Sequence, residues 1–146
     1  MPENDRIIGL DIGSSSVRAG LFDHSGSLRR NTLVKIERKL KSTADGGSEL
    51  DPDGAFRQVV QAIDGVVRAI GSSCVTHVAV CTFWHSLVGI DDKGIATTPV
   101  YGWADNQSRG HVKTLRKRFD EIAVHNRTGA RLHSSFWPAK LLWLKK

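Results

Sequence analysis

The feature that most constrains the fold is a pair of extended segments near the start of the chain, separated by a very short turn. Residues 6–11 form an apolar run typical of a β-strand, and residues 17–22 alternate in the manner of a second strand. The polar residues 13–16 lie between them. Antiparallel strands need a turn of only about two residues, whereas parallel strands need a crossover of about a dozen. The sequence therefore predicts an N-terminal β-hairpin.

The rest of the pattern predicts an α/β fold with a mixed sheet. A third extended segment, at about residues 27–40, would extend the hairpin into an antiparallel meander, and a polar linker follows at residues 41–50. Asp51 and Pro52 are residue types that begin helices, and apolar residues at helical spacing continue to Gly71. Further strands are predicted at residues 75–82 and 85–90, an extended piece at 99–103, and helices at 106–118, 120–126 and from 136 onward. This order favours mixed rather than purely parallel pairing.

The composition excludes several classes of protein. No apolar run approaches the ~18–20 residues needed to span a bilayer. The polar N-terminus lacks the apolar core of a signal peptide, so we expect no membrane partner and a cytoplasmic location. Cys74 and Cys81 form no Cys-x-x-Cys pair, and in one strand they would lie about 23 Å apart. That separation is too long for a disulfide, so we expect two reduced thiols.

The chain is basic, with a formal net charge of +6. Such a charge permits attraction to anions, including nucleic acid. The late basic run contains Lys113, Arg116, Lys117 and Arg118. A solvated helix face accounts for this run, which lacks the interleaved aromatic residues of a nucleic-acid reading motif. We therefore expect no nucleic-acid partner, whereas the rival interpretation predicts DNA or RNA binding that weakens steeply with salt.

The turn between the first two predicted strands carries residue types suited to phosphate. Gly13 has no Cβ, so a ligand can approach the backbone closely, and the hydroxyls of Ser14, Ser15 and Ser16 can donate to an anion. Arg18 adds a charge-assisted donor, and Asp11 is a hard oxygen ligand that suits a largely hydrated Mg²⁺. A Gly-Ser turn beside a solvent-exposed arginine is the alternative interpretation. The sequence has neither a Walker loop nor a dinucleotide fingerprint here.

The pattern Asp-x-Gly-Ser-x-x-x-Arg, bridging two N-terminal strands, resembles the first phosphate motif of the actin-like ATPase superfamily, which includes the FGGY carbohydrate kinases. The resemblance implies an actin-like ATPase (ribonuclease H-like) lobe, an α/β fold with an N-terminal antiparallel meander, a mixed sheet and flanking helices. It also implies ATP and Mg²⁺ as cofactors. Asp11 would hold Mg²⁺ through water, and Gly13, Ser14, Ser15 and Arg18 would contact the β- and γ-phosphates.

A later segment resembles a sugar-binding part of the same family. In residues 78–91 a polyol-contacting pair would lie between two strands. That pair is Met-His in xylulose- and gluconate-type kinases and is Trp84-His85 here. By this resemblance Trp84 would pack on the carbon side of a sugar and His85 would bond a hydroxyl. The alternative is a core tryptophan next to a turn histidine.

A Trp-Ala-Asp segment that ends at Asp105 resembles the family's Trp-x-Asp-x-Arg, in which the Asp faces the sugar hydroxyls. Gln107 stands at the arginine position, and Arg109 follows two residues later. Asp105 is also placed to N-cap the following helix. Residues 128–143 resemble a Thr-Gly…Phe-x-x-x-Lys-Leu-x-Trp segment, which we interpret as mainly structural, with Lys140 a candidate for a buried ion pair.

The resemblance covers essentially the whole chain. It implies a partial N-terminal FGGY kinase domain at residues 1–146, with the catalytic base and the C-terminal lobe expected beyond Lys146. It implies ATP-dependent phosphorylation of a sugar or sugar acid. The sequence is closest to the gluconate-type members of the family and next to the xylulose-type members. We expect residues 1–146 to be inactive alone. A non-catalytic nucleotide- or sugar-binding module on the same lobe is the alternative. Exposed apolar faces would favour a homo-oligomer.

Overall fold

The computed structural model describes residues 6–71 and 75–145, which divide into two units. The first unit comprises Met1–Lys39 and Asp53–Phe83, and the second comprises Leu40–Pro52 and Trp84–Lys146. The strands within the described residues are β1 (Arg6–Ile12), β2 (Ser16–Asp23), β3 (Val34–Glu37), β4 (Lys41–Ser42), β5 (Ser48–Leu50), β6 (His77–Thr82) and β7 (Val100–Tyr101). The helices are α1 (Pro52–Ile70), α2 (Arg109–Arg118), α3 (Glu121–Thr128) and α4 (Trp137–Leu144).

The first unit is built on a four-stranded mixed sheet in the order β3-β2-β1-β6. β1 pairs with β2 and β2 pairs with β3 in antiparallel fashion, so the predicted hairpin and meander are confirmed. β6 follows α1 in the chain and pairs with the other edge of β1 in parallel. The predicted mixed sheet is therefore confirmed as well.

One face of this sheet is covered by α1. Alternate residues of β1 and β2 point towards the helix, where Ala62 and Val66 are fully buried. The buried core consists of Ile8, Leu10, Val17, Ala19, Leu21, Ala62 and Val66. Gly65 allows the helix to approach the sheet, because a Cβ there would lie 2.8 Å from Cγ2 of Val34. The helix ends as predicted before Gly71, whose φ of +60° favours glycine.

The opposite face of the sheet carries smaller and more exposed side chains. Gly9 and Gly20 are paired across β1 and β2, and the ring of Phe22 lies against Gly9, where a Cβ would be 2.7 Å from Cε2. Val80 in β6 is 59% exposed. A cavity of about 420 Å³ opens on this face, and Asp11 and Arg18 lie at one end of its lining.

The second unit contains a small antiparallel sheet, in the order β4-β5-β7, and three helices. Its apolar core is formed by Leu115 of α2, Ala139 of α4, and Leu132 from the segment between α3 and α4. Asp120 caps α3 by accepting from the amides of Ile122 and Ala123, and the left-handed Gly129 follows the last residue of α3. No helix within residues 6–71 and 75–145 is long and apolar enough to cross a membrane.

Some boundaries predicted from the sequence are wrong. Residues 85–90 form no strand, because His85 is left-handed, with a φ of 60°, and only isolated bridges pair Leu87 with Tyr101 and Ile90 with Ala96. The third strand is limited to β3, and the predicted linker contains β4 and β5. The helix expected from residue 106 begins three residues later, as α2. Cys81 is a free thiol, as predicted, whereas Cys74 lies outside the described residues.

Candidate functional site

The hairpin brings Asp11 and Arg18 to the same face of the sheet. They are directly opposite each other in the β1–β2 register, and Nη1 of Arg18 lies 3.4 Å from Oδ2 of Asp11. Their side chains are 51% exposed for Arg18 and 46% exposed for Asp11. An exposed pair of this kind stabilises a fold by only about 0–1 kcal/mol. Both groups therefore remain available to a ligand.

The turn between the two strands is closed by its own backbone. The amide of Gly13 donates to the carbonyl of Ser16 at 2.9 Å, and a Cβ on Gly13 would lie 3.1 Å from that oxygen. Glycine thus lets the turn close tightly, and the amide of Gly13 is already used. The amides and hydroxyls of Ser14 and Ser15 donate to no other described residue. Ser15 is exposed, so these two residues present the unused donors of the turn.

Arg38 supports this turn, a role that the sequence did not predict. Its Nε donates to the carbonyl of Gly13 at 3.0 Å, and Nη2 donates to the same oxygen. Its main-chain amide donates to the carbonyl of Ser15 at 2.9 Å. The guanidinium lies 5.3 Å from the ring centre of Phe83, within the range of a cation–π contact. The third nitrogen, Nη1, is buried and has no partner among the described residues.

The turn also borders a basic concavity. It has a volume of about 360 Å³ and is lined by Ser15, Ser16, Arg18, Lys35, Glu37, Arg38 and Lys39. Glu37 is the single acidic residue of this lining, and it is paired with Lys35 at 2.9 Å. The hydrogen bond from Lys35 is the main cause that lowers the pKa of Glu37. The lining is therefore net positive and suits an anion.

Asp11 is the carboxylate predicted to hold a metal at the turn, and it lies at the end of β1. Within the described residues no group of three or more His, Cys, Asp or Glu side chains is arranged around a common metal position. Magnesium commonly takes one or two carboxylates and keeps several waters. Oδ1 of Asp11 accepts only a weak bond from Sγ of Cys81, at 3.4 Å. A half-exposed carboxylate with weak partners fits a largely hydrated Mg²⁺.

Trp84 and His85 lie together in the second unit. Their rings are stacked, with centres 4.8 Å apart and planes 16° apart. The rings of His85 and Phe136 are close to perpendicular, with centres 4.5 Å apart. Trp84 is 78% exposed, so it is not the core residue that the alternative interpretation required. The pair presents an open aromatic surface next to an imidazole.

Asp105 is fully buried. Its Oδ2 accepts from the amide of Ser48 at 3.0 Å, and its Oδ1 accepts from the amide of Gln107 at 3.2 Å. The N-cap of α2 is Ser108, so the expected capping role of Asp105 is wrong: the carboxylate caps a turn before the helix. Its role as a sugar contact stays a prediction.

Gln107, which stands at the family's arginine position, and Arg109 both contact the loop at Asp45. Nε2 of Gln107 donates to Oδ2 of Asp45 at 2.7 Å, and Nη1 of Arg109 donates to the Asp45 carbonyl at 2.8 Å. Hydrogen bonds from Thr43 and then Gln107 lower the pKa of the Asp45 carboxyl. Gln107 and Arg109 therefore tie this loop to the start of α2.

Lys140 is also fully buried. Its Nζ donates to the carbonyl of Gly102 at 2.6 Å and to the carbonyl of His85 at 3.2 Å. Its direct partners are thus carbonyls rather than the predicted carboxylate. Burial lowers the pKa of the Lys140 ammonium, and the negative charge of Asp105 acts in the opposite direction. Asp105 is therefore a counter-charge to Lys140 without a direct hydrogen bond.

The chain is similar to known carbohydrate kinases over nearly its whole length. The model of the FGGY family of carbohydrate kinases, N-terminal domain, matches residues 6–146. The gluconokinase of Bacillus subtilis is 25% identical over 138 residues, which are 94% of this chain and 26% of that protein. The chain thus spans about a quarter of the length of this relative.

Solved structures agree with this result. The gluconate kinase from Lactobacillus acidophilus superposes with a TM-score of 0.86 at 27% identity, covering 97% of this chain and 28% of that one. The xylulose kinase from Rhodospirillum rubrum gives a TM-score of 0.88 at 25% identity, covering 96% of this chain and 29% of that one. The predicted α/β fold of the actin-like ATPase type is confirmed. The chain belongs to the FGGY family of carbohydrate kinases, whose N-terminal domain its residues 6–146 match.

Proposed function

We propose that this chain is the phosphate-receiving and acceptor-holding part of a kinase that transfers the γ-phosphoryl group of ATP to a hydroxyl of a sugar or sugar acid. The observation that carries the proposal is the arrangement at the β1–β2 turn. Asp11 and Arg18 meet on one face of the sheet, and the unused donors of Ser14 and Ser15 lie between them in the chain. A carboxylate, free amides and a guanidinium, in this order along the chain, suit a magnesium-bound polyphosphate.

Each group at the turn has a distinct task in this proposal. ATP bound with Mg²⁺ supplies the phosphoryl group and a charge that offsets the phosphates. Asp11 would hold the ion through water, Ser14 and Ser15 would donate to phosphate oxygens, and Arg18 would add a charge-assisted donor. Gly13 lets the turn close and contributes no free amide. Phosphoryl transfer depends mainly on such positioning and charge stabilisation.

The second unit holds the acceptor in this proposal. The exposed face of Trp84 packs against the carbon side of the sugar, and His85 bonds a hydroxyl. Asp105, which is fully buried, holds the segment that faces the hydroxyls of the acceptor. Relatives similar to the chain are named gluconokinase and xylulose kinase, and we propose gluconate as the acceptor, with xylulose next.

The proposal also assigns residues 1–146 to a partial N-terminal domain. The base that removes the proton from the acceptor hydroxyl then lies outside these residues, and the chain on its own does not turn over. Clear ATP-dependent phosphorylation by purified residues 1–146 would contradict this assignment.

The decisive experiment pairs a binding measurement with a product assay. Calorimetry of the chain with MgATP is compared for wild type, Arg18→Ala and the control Arg30→Ala, which removes an equal charge from an exposed position outside the turn. We expect Arg18→Ala to weaken binding by about tenfold, the equivalent of ~1.4 kcal/mol, and Arg30→Ala to have little effect. Equal affinities in all three proteins would refute the phosphate site.

The product assay uses the full-length protein with gluconate, xylulose, ribulose and glycerol. We expect a phosphorylated product from gluconate at the highest kcat/KM. Nucleotide or sugar binding without any product would instead support the non-catalytic module.

A further inference from the structure

Lys140 carries a buried positive charge in the second unit. Moving an ammonium group out of water is costly, and a fold tolerates it where hydrogen bonds and an opposite charge compensate. Here Nζ has two carbonyl partners, and Asp105, also fully buried, supplies the negative charge. A methionine would fill a similar volume without this cost. The buried charge therefore calls for a specific task.

The two carbonyl partners of Lys140 come from the two segments that carry the candidate sugar contacts. One is the carbonyl of His85 itself, and the other is that of Gly102, three residues before Asp105. Lys140 is located on α4, 38 residues after Gly102 and 55 after His85. A single ammonium group on a helix thus joins two turns that are distant in sequence.

The backbone at His85 requires such support. A φ of 60° is unusual for a residue with a Cβ and costs roughly 1–2 kcal/mol. A conformation of this kind persists only where its surroundings hold it. The bond from Lys140 to the His85 carbonyl and the rings of Trp84 and Phe136 supply that support.

The turn at Gly102 is held by hydrogen bonds of both its amide and its carbonyl. The amide of Gly102 donates to the carbonyl of Ser48 in β5 at 2.7 Å, while its carbonyl accepts from Lys140. The amide of Ser48 in turn donates to Asp105. Gly102 is constrained further, because a Cβ there would lie 3.0 Å from the Ser48 carbonyl. Lys140, Gly102, Ser48 and Asp105 form one connected network.

We propose that Lys140 is a positioning residue for the acceptor: it fixes the turn at His85 relative to the turn at Asp105, so that both present one arrangement to the sugar. This inference rests on the proposed function. Lys140 contacts no substrate in it and acts through the backbone of His85 and Gly102. A purely structural lysine would affect stability and leave the recognition of the acceptor unchanged.

The test is steady-state kinetics of the full-length protein with Lys140→Met, which keeps the volume and removes the donors. We expect KM for the acceptor to rise by about tenfold to a hundredfold, as for a misplaced binding group, and KM for ATP to stay within about twofold. Lys140→Gln loses the charge but keeps a donating amide NH2 group, so its acceptor KM should lie between those of wild type and Lys140→Met.

The control is Leu115→Ala, which removes apolar contacts from the core of the second unit and touches neither turn. It should lower the melting temperature without changing the acceptor KM. An unchanged acceptor KM in Lys140→Met would overturn the inference, and so would a failure of both Lys140 variants to fold, since the role would then be stability alone. Wild-type enzyme that phosphorylates none of the acceptors would instead refute the proposed function.

Discussion

The guanidinium of Arg38 donates from both Nε and Nη2 to the carbonyl of Gly13, so the end of β3 is tied to the turn between β1 and β2. The carbonyl oxygen of a tight turn would otherwise be free to rotate with the peptide plane. Fixing it also fixes the direction of the following amide, that of Ser14. The residue that supports the candidate phosphate turn therefore lies 25 positions away from it.

Replacing Arg38 should weaken both the turn and the binding of nucleotide. In Arg38→Gln we expect a loss of about 1–3 kcal/mol in the free energy of unfolding, from charge-assisted bonds to a carbonyl. We expect MgATP affinity to fall by up to about tenfold. Urea titration and calorimetry measure the two effects. Lys39→Met is the matched control, because Lys39 lines the same concavity as an exposed cation; equal losses in both variants would show that charge alone matters.

The strained backbone at His85 predicts that two small substitutions differ in stability. His85→Ala loses the ring contacts and keeps the strain, so it should destabilise the fold by about 0.5–1.5 kcal/mol. His85→Gly loses the same contacts but relieves the left-handed conformation, so it should be more stable than His85→Ala by about 1 kcal/mol. Chemical denaturation measures the difference. A glycine variant less stable than the alanine variant would contradict the conformation described for this residue.

The reactivity of Cys81 should report on Asp11. The hydrogen bond to Asp11 is the main cause that raises the pKa of the Cys81 thiol, and burial and the negative charge add to it. In a Cys74→Ser background, Asp11→Asn should therefore increase the rate of alkylation by iodoacetamide near pH 8 several-fold, since the thiolate is the reactive form. Asp64→Asn, which changes an exposed carboxylate on α1, serves as the control. Identical rates in the three proteins would argue against the Asp11–Cys81 contact.

Acid should remove the contribution of Glu121 to stability. Arg116 donates to Glu121 through two nitrogens, at 2.9 and 3.2 Å, and this bonding is the main cause that lowers the pKa of Glu121. A carboxyl whose pKa is lowered on folding stabilises the fold above its ordinary value of 4.5, and this effect is lost as the pH falls through the lower folded pKa. The melting temperature of the wild type should thus be higher than that of Glu121→Gln at neutral pH. The difference between the two melting temperatures should disappear in acid.

The exposed turn variant Asp92→Asn provides a baseline for this pH series. A gap between wild type and Glu121→Gln that persists unchanged at the lowest pH would show that the charge of Glu121 is not responsible for it.

The elements predicted well from the sequence are those set by local rules. The turn between β1 and β2 is too short for any connection except a hairpin, and this alone places Asp11 and Arg18 on neighbouring strands. Successive side chains of a strand point to opposite faces of the sheet, and residues directly opposite each other in a hairpin point to the same face. Asp11 and Arg18 are such a pair. Helix α1 was recognisable from Pro52 and its apolar spacing, and Gly71 marked its end.

The elements that were missed depend on contacts between distant residues. Nothing near Arg38 in the sequence indicates a bond to Gly13, and nothing near Lys140 indicates that its partners are the carbonyls of His85 and Gly102. β4 and β5 are too short for a visible alternation. The apolar run after His85 looked like a strand, but a left-handed residue at its start turns the chain away.

The parallel pairing of β6 with β1 has a consequence for the order of folding. Ile7 is aligned with His77, so the two strands meet only after a long intervening loop has closed, at an entropic cost that a two-strand hairpin avoids. The hairpin can therefore form early from neighbouring residues, and Cys81 reaches Asp11 in a late, slow event. During refolding, formation of the contact between this thiol and Asp11 would mark completion of the sheet, whereas Asp11 and Arg18 would already have met across the hairpin.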